Sequence, residues 1–196
     1  MPDYIYSMET RLTPDQQGGV NLVQEITRNA GLNLYLTGGT IRDLITGFPI
    51  RDVDLSVQGN PLRLQKELEK AGLSVQGVDE ELRSLHLLMP GNVRAELNMT
   101  RSESYDKPGK ATVTPATINE DLRRRDFTVN AMALSLNPGS RGLLLDPFNG
   151  MADIETHAGA LRTGRAVVAK AGEEFIEVGG RGERRVFDGE PDVGLG

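Results

Sequence analysis

The sequence predicts an α/β (α+β) domain: a mixed sheet of about five strands with helices mainly on one side. Three observations carry this. Strand-like and helix-like apolar patterns interleave along most of the chain, the layout of a sheet domain with helical connections. A glycine pair, Gly38-Gly39, stands between a short apolar run and a helical one, as in a strand-to-helix turn. Asp52 and Asp54 sit at i and i+2 of the next strand-like run, so both side chains share one face.

Each element has a local reason. Thr13 suits an N-cap, Pro14 the first helical position and Gly31 the residue beyond the end, which predicts a helix over 13–30 with Val20, Val23 and Ile26 at helical spacing. Gly18-Gly19 weakens its early turns. Leu34 and Leu36 mark a strand over 32–37 that delivers the chain to the glycine pair. Ile41 opens a helix that Gly47-Phe48-Pro49 ends, and 52–57 is the strand carrying the two carboxylates. Asn60-Pro61 starts a helix through Lys70, with Leu62, Leu64 and Leu68 apolar. Further strands are expected at 73–78, 84–89 and 93–99. The polar stretch 106–114, with Lys107-Pro108-Gly109-Lys110, reads as a mobile loop, and 118–136 as one helix bearing Arg123-Arg124-Arg125-Asp126. From Gly164 onward the chain is Gly-rich with no clean period, so 1–163 reads as one domain and 164–196 as a weakly structured tail.

Bulk composition narrows the function. The 196 residues suffice for one core and are short for two full domains. No apolar run approaches the roughly 18–20 residues that span a bilayer, and the N-terminus lacks a signal-peptide layout. The absence of Cys excludes disulfides and thiolate metal sites and fits the cytoplasm. A formal net charge of −6 argues against extensive nucleic-acid binding by this chain alone, because long phosphate backbones are held by basic surfaces. It leaves room for a site that takes one nucleotide and one strand end. The two histidines, His86 and His157, lie in unlike contexts, and His86 between Leu85 and Leu87 reads as a satisfied strand residue.

The chemistry concentrates around the glycine pair. Backbone N–H groups at a helix start have no intrahelical partner and accept phosphate oxygens. Two carboxylates on one strand face repel each other unless a cation lies between them, and Mg²⁺ is the usual cation beside phosphates. These two features are the minimum equipment for phosphoryl or nucleotidyl transfer.

Taken with the rest of the chain, these stretches resemble the class II tRNA nucleotidyltransferase (CCA-adding enzyme) and bacterial poly(A) polymerase family, within the polymerase-β-like nucleotidyltransferases. Gly38-Gly39-Thr40-Ile41-Arg42-Asp43 resembles the family's Gly-Gly-x-Val-Arg-Asp loop, with Asp52-Val53-Asp54 following at the family's distance. Glu96-Leu97-Asn98-Met99-Thr100-Arg101 resembles the strand that supplies a third carboxylate. Arg124-Arg125-Asp126-Phe127-Thr128-Val129-Asn130-Ala131 resembles the Arg-Arg-Asp-Phe-Thr-x-Asn-Ala signature, and Asp146-Pro147-Phe148-Asn149-Gly150 with Leu161-Arg162 matches the close of the catalytic head.

The resemblance implies a catalytic head in which Asp52 and Asp54 hold Mg²⁺. Glu96 would orient the attacking 3′-hydroxyl or share a metal, and Gly38, Gly39, Arg42, Arg125, Asp126 and Asn130 would meet the nucleotide. It implies transfer of CMP and AMP from CTP and ATP to the 3′ end of tRNA. The family's arginine-rich helical neck and RNA-gripping body have no counterpart after Leu161-Arg162, and Glu183-Arg184-Arg185 among glycines is a poor substitute. The chain therefore reads as truncated or frame-shifted after the head, with weak hold on RNA. Poly(A) addition, a small stand-alone enzyme with another acceptor, and a nucleotide-binding fragment that depends on a partner chain for RNA binding are the alternatives.

Overall fold

A computed structural model of the chain describes residues 4–107, 110–155, 158–160, 166–168, 177–178 and 184–185. Two helices open it, α1 (Tyr4–Arg11) and α2 (Pro14–Asn29). The Thr13 hydroxyl accepts from Gln16 N while the Gln16 side chain accepts from Thr13 N, a reciprocal cap that fixes the start of α2. There follow β1 (Leu34–Thr37), α3 (Gly38–Thr46), β2 (Val53–Val57), a 3₁₀ turn leading into α4 (Gln65–Lys70), β3 (Ser74–Asp79), β4 (Ser84–Met89) and β5 (Val93–Met99). The chain then forms β6 (Arg101–Lys107), β7 (Lys110–Pro115), α5 (Ile118–Arg123), β8 (Ala133–Ser135), β9 (Leu144–Leu145) and α6 (Gly150–Glu155). Among the described residues, no helix is long and apolar enough to cross a membrane.

The main sheet has seven strands in the order β3-β4-β5-β2-β1-β8-β9, two more than the sequence suggests. Only β2 and β5 run parallel, so the sheet is mixed as expected. One extra strand, β8, arises where one long helix was predicted over 118–136, and β9 pairs with it from Leu144–Leu145. That helix stops at Arg123, and residues 131–136 are buried at every position. Continuous burial marks a strand covered on both faces, and a short apolar run of this kind has no period to tell strand from helix. The stretch expected as a mobile loop, 106–114, instead contributes to the paired ribbon β6–β7, running from Arg101 opposite Pro115 to Lys107 opposite Lys110. The β-branched run Thr112-Val113-Thr114 favours that pairing.

Residues alternate cleanly across the central strands. Val53, Leu55 and Val57 of β2, Ala95, Leu97 and Met99 of β5, and Leu85, Leu87 and Met89 of β4 are all buried. Most of them share one core cluster with Val20 and Val23 of α2, Ile41 and Leu44 of α3, and Leu68 of α4. Each such side chain contributes about 1.5–3 kcal/mol on burial. The opposite face carries Asp54 and Ser56, Glu96 and Asn98, His86 and Ser84 in matching register. A smaller cluster of Tyr35, Ile118, Leu122 and Ala133 seats α5 on that second face. The expected tail, 164–196, lies largely outside the described residues; within it, Arg184–Arg185 pairs with Glu177–Val178 as a strand and is not helical.

Glycines of α2 and α6 give a matched stability test. Gly18 is exposed in α2 and an added Cβ meets nothing within 4 Å, whereas a Cβ on Gly150 runs into the Thr128 carbonyl. Gly18→Ala should stabilise by up to about 1 kcal/mol. Gly150→Ala should destabilise by about 1–3 kcal/mol, because backbone rather than a flexible side chain must shift. Urea unfolding of both variants checks the opposite signs.

Candidate active site

The site is built where β1 hands the chain to α3. Gly38 has φ +61, a left-handed conformation that a side chain strains. The glycine pair is also crowded from outside. A Cβ on Gly38 would lie 3.2 Å from both Arg125 Nη1 and Asp54 Oδ2, and one on Gly39 3.3 Å from Asp54 Oδ2 and 3.5 Å from Arg42 Nη2. Bare backbone lets two guanidiniums and a carboxylate converge on the start of the helix.

Thr37, the N-cap of α3, makes no capping bond with its side chain. Asp54 supplies it from the adjacent strand: its carboxylate accepts from the Thr40 and Gly39 backbone N–H groups. Thr40 Oγ1 accepts from Asp54 N at 2.7 Å and donates to the Asp52 carbonyl at 3.3 Å, which ties α3 to β2. Burial pushes the Asp54 carboxyl up from 3.8 to about 6, and the charge of Glu96, its register partner on β5, pushes the same way. The N–H groups of Thr40 and Gly39 and the Arg125 guanidinium hold it back without cancelling the rise.

The two aspartates of the sequence pattern fare differently. Asp54 joins Glu96, while Asp52 lies half exposed before β2 with its Oδ1 2.9 Å from Arg94 Nε. Among the described residues, no group of three or more His, Asp or Glu side chains gathers as a metal site. The donors present nevertheless fit a hard cation. Asp54 and Glu96 are neighbouring oxygen donors whose mutual repulsion a divalent ion relieves, and Mg²⁺ typically takes only one or two carboxylates together with substrate phosphates and water.

Arg42, Arg125 and Asn130, each expected at the nucleotide, come together. Arg42 pairs with Asp43 through Nε and Nη2, each at 2.9 Å, and donates from Nη1 to Asn130 Oδ1 at 3.2 Å. Arg125 Nη1 donates to the Asn130 carbonyl at 3.2 Å. Asn130 thus bridges the two arginines, held in the 3₁₀ turn Thr128–Asn130. Asp126, expected at the nucleotide, is exposed at the bend after α5, and no hydrogen bond or ion pair ties it to this group among the described residues.

Sequence reasoning passed over Asp121. Only 1% exposed, it accepts from Arg124 and Arg101 N at Oδ1 and from Arg125 at Oδ2. Glu103 closes the network by taking Arg101 and Arg124. The signal was present: Asp121 stands at i−3 and i−4 from two arginines, the spacing of helical neighbours. Asp146, in the last matched motif, caps α6 by accepting from Gly150 N and Met151 N at 2.7 and 3.0 Å.

A family model described as the Poly A polymerase head domain matches residues 34–159. The chain belongs to this family. Relatives of this head domain include the A-adding tRNA nucleotidyltransferases of Aquifex aeolicus and Halalkalibacterium halodurans. The first is 41% identical over 126 residues, covering 63% of this chain and 15% of that protein. The second is 34% identical over 148 residues, covering 75% of this chain and 35% of that protein. Among solved structures, apo form II of a CCA-adding enzyme gives a TM-score of 0.72 at 30% identity, covering 82% of this chain and 38% of that one. A tRNA nucleotidyltransferase complexed with a primer tRNA and an incoming ATP analog gives 0.57 at 37% identity, covering 69% and 37%. The chain therefore spans little more than a third, or less, of the proteins it matches.

The raised Asp54 carboxyl has a measurable consequence for the head itself. Its folded value lies above the unfolded one, so the fold favours the protonated form. The resulting destabilisation is absent below about pH 4, grows as pH rises, and is complete above about pH 6 at about 3 kcal/mol. Asp54→Asn should melt higher than the parent at about pH 8, and the gap should close on acidification to about pH 4. Calorimetric scans of both proteins across that range check it.

Proposed function

We propose that this chain is the catalytic head of an RNA 3′-end nucleotidyltransferase of the tRNA CCA-adding kind, using CTP and ATP with Mg²⁺. The observation that carries the reading is that Asp54, the register partner of Glu96, lies at the N-terminus of α3 beside Arg42 and Arg125. Cation-seeking carboxylates and anion-seeking donors near one helix start support a site that takes a triphosphate. The names of the relatives, A-adding and CCA-adding enzymes, support the substrate class.

In the reaction, the 3′-hydroxyl oxygen of the RNA bonds to the α-phosphorus as its proton passes to solvent water, the bond from that phosphorus to the pyrophosphate oxygen breaks, and pyrophosphate leaves. Arg42 and Arg125 would receive the phosphate oxygens, since Asp43 and Asp121 orient their planar guanidiniums, whose geometry pairs bidentately with phosphate. Gly38 and Gly39 let the phosphates approach the helix start. Asp54 and Glu96 would hold Mg²⁺, with Asp52 joining once it leaves Arg94. The bound cation supplies charge neutralisation and lowers the pKa of the attacking hydroxyl. Asn130 keeps the two arginines in a fixed relation. Poly(A) addition is the second reading, favoured by the description of the matching family model.

The test is incorporation of labelled CTP or ATP into tRNA lacking its CCA end. The chain with Mg²⁺ should label the RNA, and Asp54→Ala should lose at least about 100-fold. A folded chain that binds Mg-nucleotide without transferring it would point to dependence on a partner for RNA grip. Labelling of any RNA with ATP alone would favour poly(A) addition.

Arg94 gives a separate prediction. Arg94→Ala frees Asp52 and should lower the Mg²⁺ concentration for half-saturation by up to about fivefold, the range of an exposed ion pair. Calorimetric Mg²⁺ titration in the presence of nucleotide reads it; an unchanged or weaker affinity would show that Asp52 stays outside the metal's reach.

A further inference from the structure

The polar row on the second face of the sheet does not end at Glu96. In register, Asp54 of β2 stands opposite Glu96 of β5, and Glu96 opposite His86 of β4. His86 Nδ1 lies 3.3 Å from Glu96 Oε1, with about half of each side chain exposed. The neighbours of His86 along the strand, Leu85 and Leu87, are fully committed to the core on the other face, which fixes the side of the sheet the ring occupies.

The next strand is shaped around that ring. Gly77 of β3 faces His86, and a Cβ there would lie 3.1 Å from His86 Cδ2 and 3.6 Å from His86 Cβ. The β3–β4 register shifts between Val75 and Gly77, an irregularity that re-aims the strand beside the histidine. A missing side chain and a bulge at one point therefore make room for the imidazole next to Glu96. A surface histidine of no consequence requires neither.

We infer that His86 is a positioning residue for nucleotidyl transfer: its Nδ1–H holds the Glu96 carboxylate beside Asp54, and Gly77 holds the ring. This rests on the nucleotidyltransferase reading above. Glu96 is about half exposed and, among the described residues, has no other side-chain anchor than this contact, so an unrestrained side chain would swing among rotamers and lose its place relative to the attacking hydroxyl. The imidazole engages Oε1 and leaves Oε2 to the site.

Two measurements decide it. The chain has only two histidines, so imidazole ¹⁵N spectra at about pH 8 are assigned by one variant, His86→Asn. His86 is expected in the Nδ1–H tautomer, and Glu96→Ala should return it to the Nε2–H form. An Nε2–H tautomer in the parent, or an Nδ1–H tautomer indifferent to Glu96→Ala, overturns the inference. The second measurement compares His86→Asn, whose Nδ2 stands near the lost Nδ1, with His86→Leu, which packs on Gly77 and donates nothing. Asn should keep Mg²⁺ affinity and kcat within about threefold, while Leu should lose about tenfold in both with nucleotide KM unchanged. Equal behaviour of the two variants would reduce His86 to packing. If the parent neither incorporates nor binds Mg-nucleotide, the transfer reading fails, while the tautomer still decides whether His86 holds Glu96.

Discussion

A one-residue slip of β2 against β5 would turn Asp54 into the core and bring Val53, Leu55 and Val57 out to the opposite face. Because side chains alternate with a strict period of two, the whole apolar set opposes that slip at once. The parallel register Asp54 opposite Glu96 is thus enforced by the buried face beneath it, not by any attraction between the two acids. Everything else in the site follows from this pairing. Asp54 reaches the start of α3 because Thr40 ties that helix to β2, and Arg42 and Arg125 reach it because the two glycines leave space.

The arrangement is held against a local penalty. Two acids side by side, one of them buried, disfavour the charged state that the chemistry needs. Helix N–H groups and Arg125 offset part of this, and the core offsets the rest. A cation binding there would recover the remainder, so under the proposed function the instability of the bare head and any affinity for metal would be two expressions of one interaction. Rigid support explains why the carboxylates stand on strands rather than loops: a flexible segment would relax and separate them.

Features set by local rules were legible in the sequence. Thr13 and Pro14 announced α2, the glycine pair announced the strand-to-helix turn, and the alternation around Asp54 and Glu96 announced half-buried strands. Features set by distant partners were not. Asp52 found Arg94 across the sheet, and Asp121 became a buried hub only because Arg101 N and Glu103 arrive from β6. The segment 131–136 was misread because strand pairing with β1 overrides the helical spacing of Val129 and Met132. His86 looked inert since its flanking leucines describe the opposite face, and the carboxylate it meets belongs to another strand.

Under the proposed function, the charge balance at the site also constrains the form in which a nucleotide arrives. Arg42 already faces Asp43, Arg94 faces Asp52, and Arg125 faces Asp121, leaving Asp54 and Glu96 without a full counter-charge. A free triphosphate brings several more negative charges to a chain that carries −6 overall. Guanidinium donors can orient those oxygens, but they cannot both keep their carboxylates and neutralise the newcomer. The ligand that suits this site is the metal complex of the nucleotide, whose cation satisfies the two acids and the phosphates together. On that argument metal and nucleotide bind with positive coupling, and the arginines serve chiefly to fix geometry once the charge has been met.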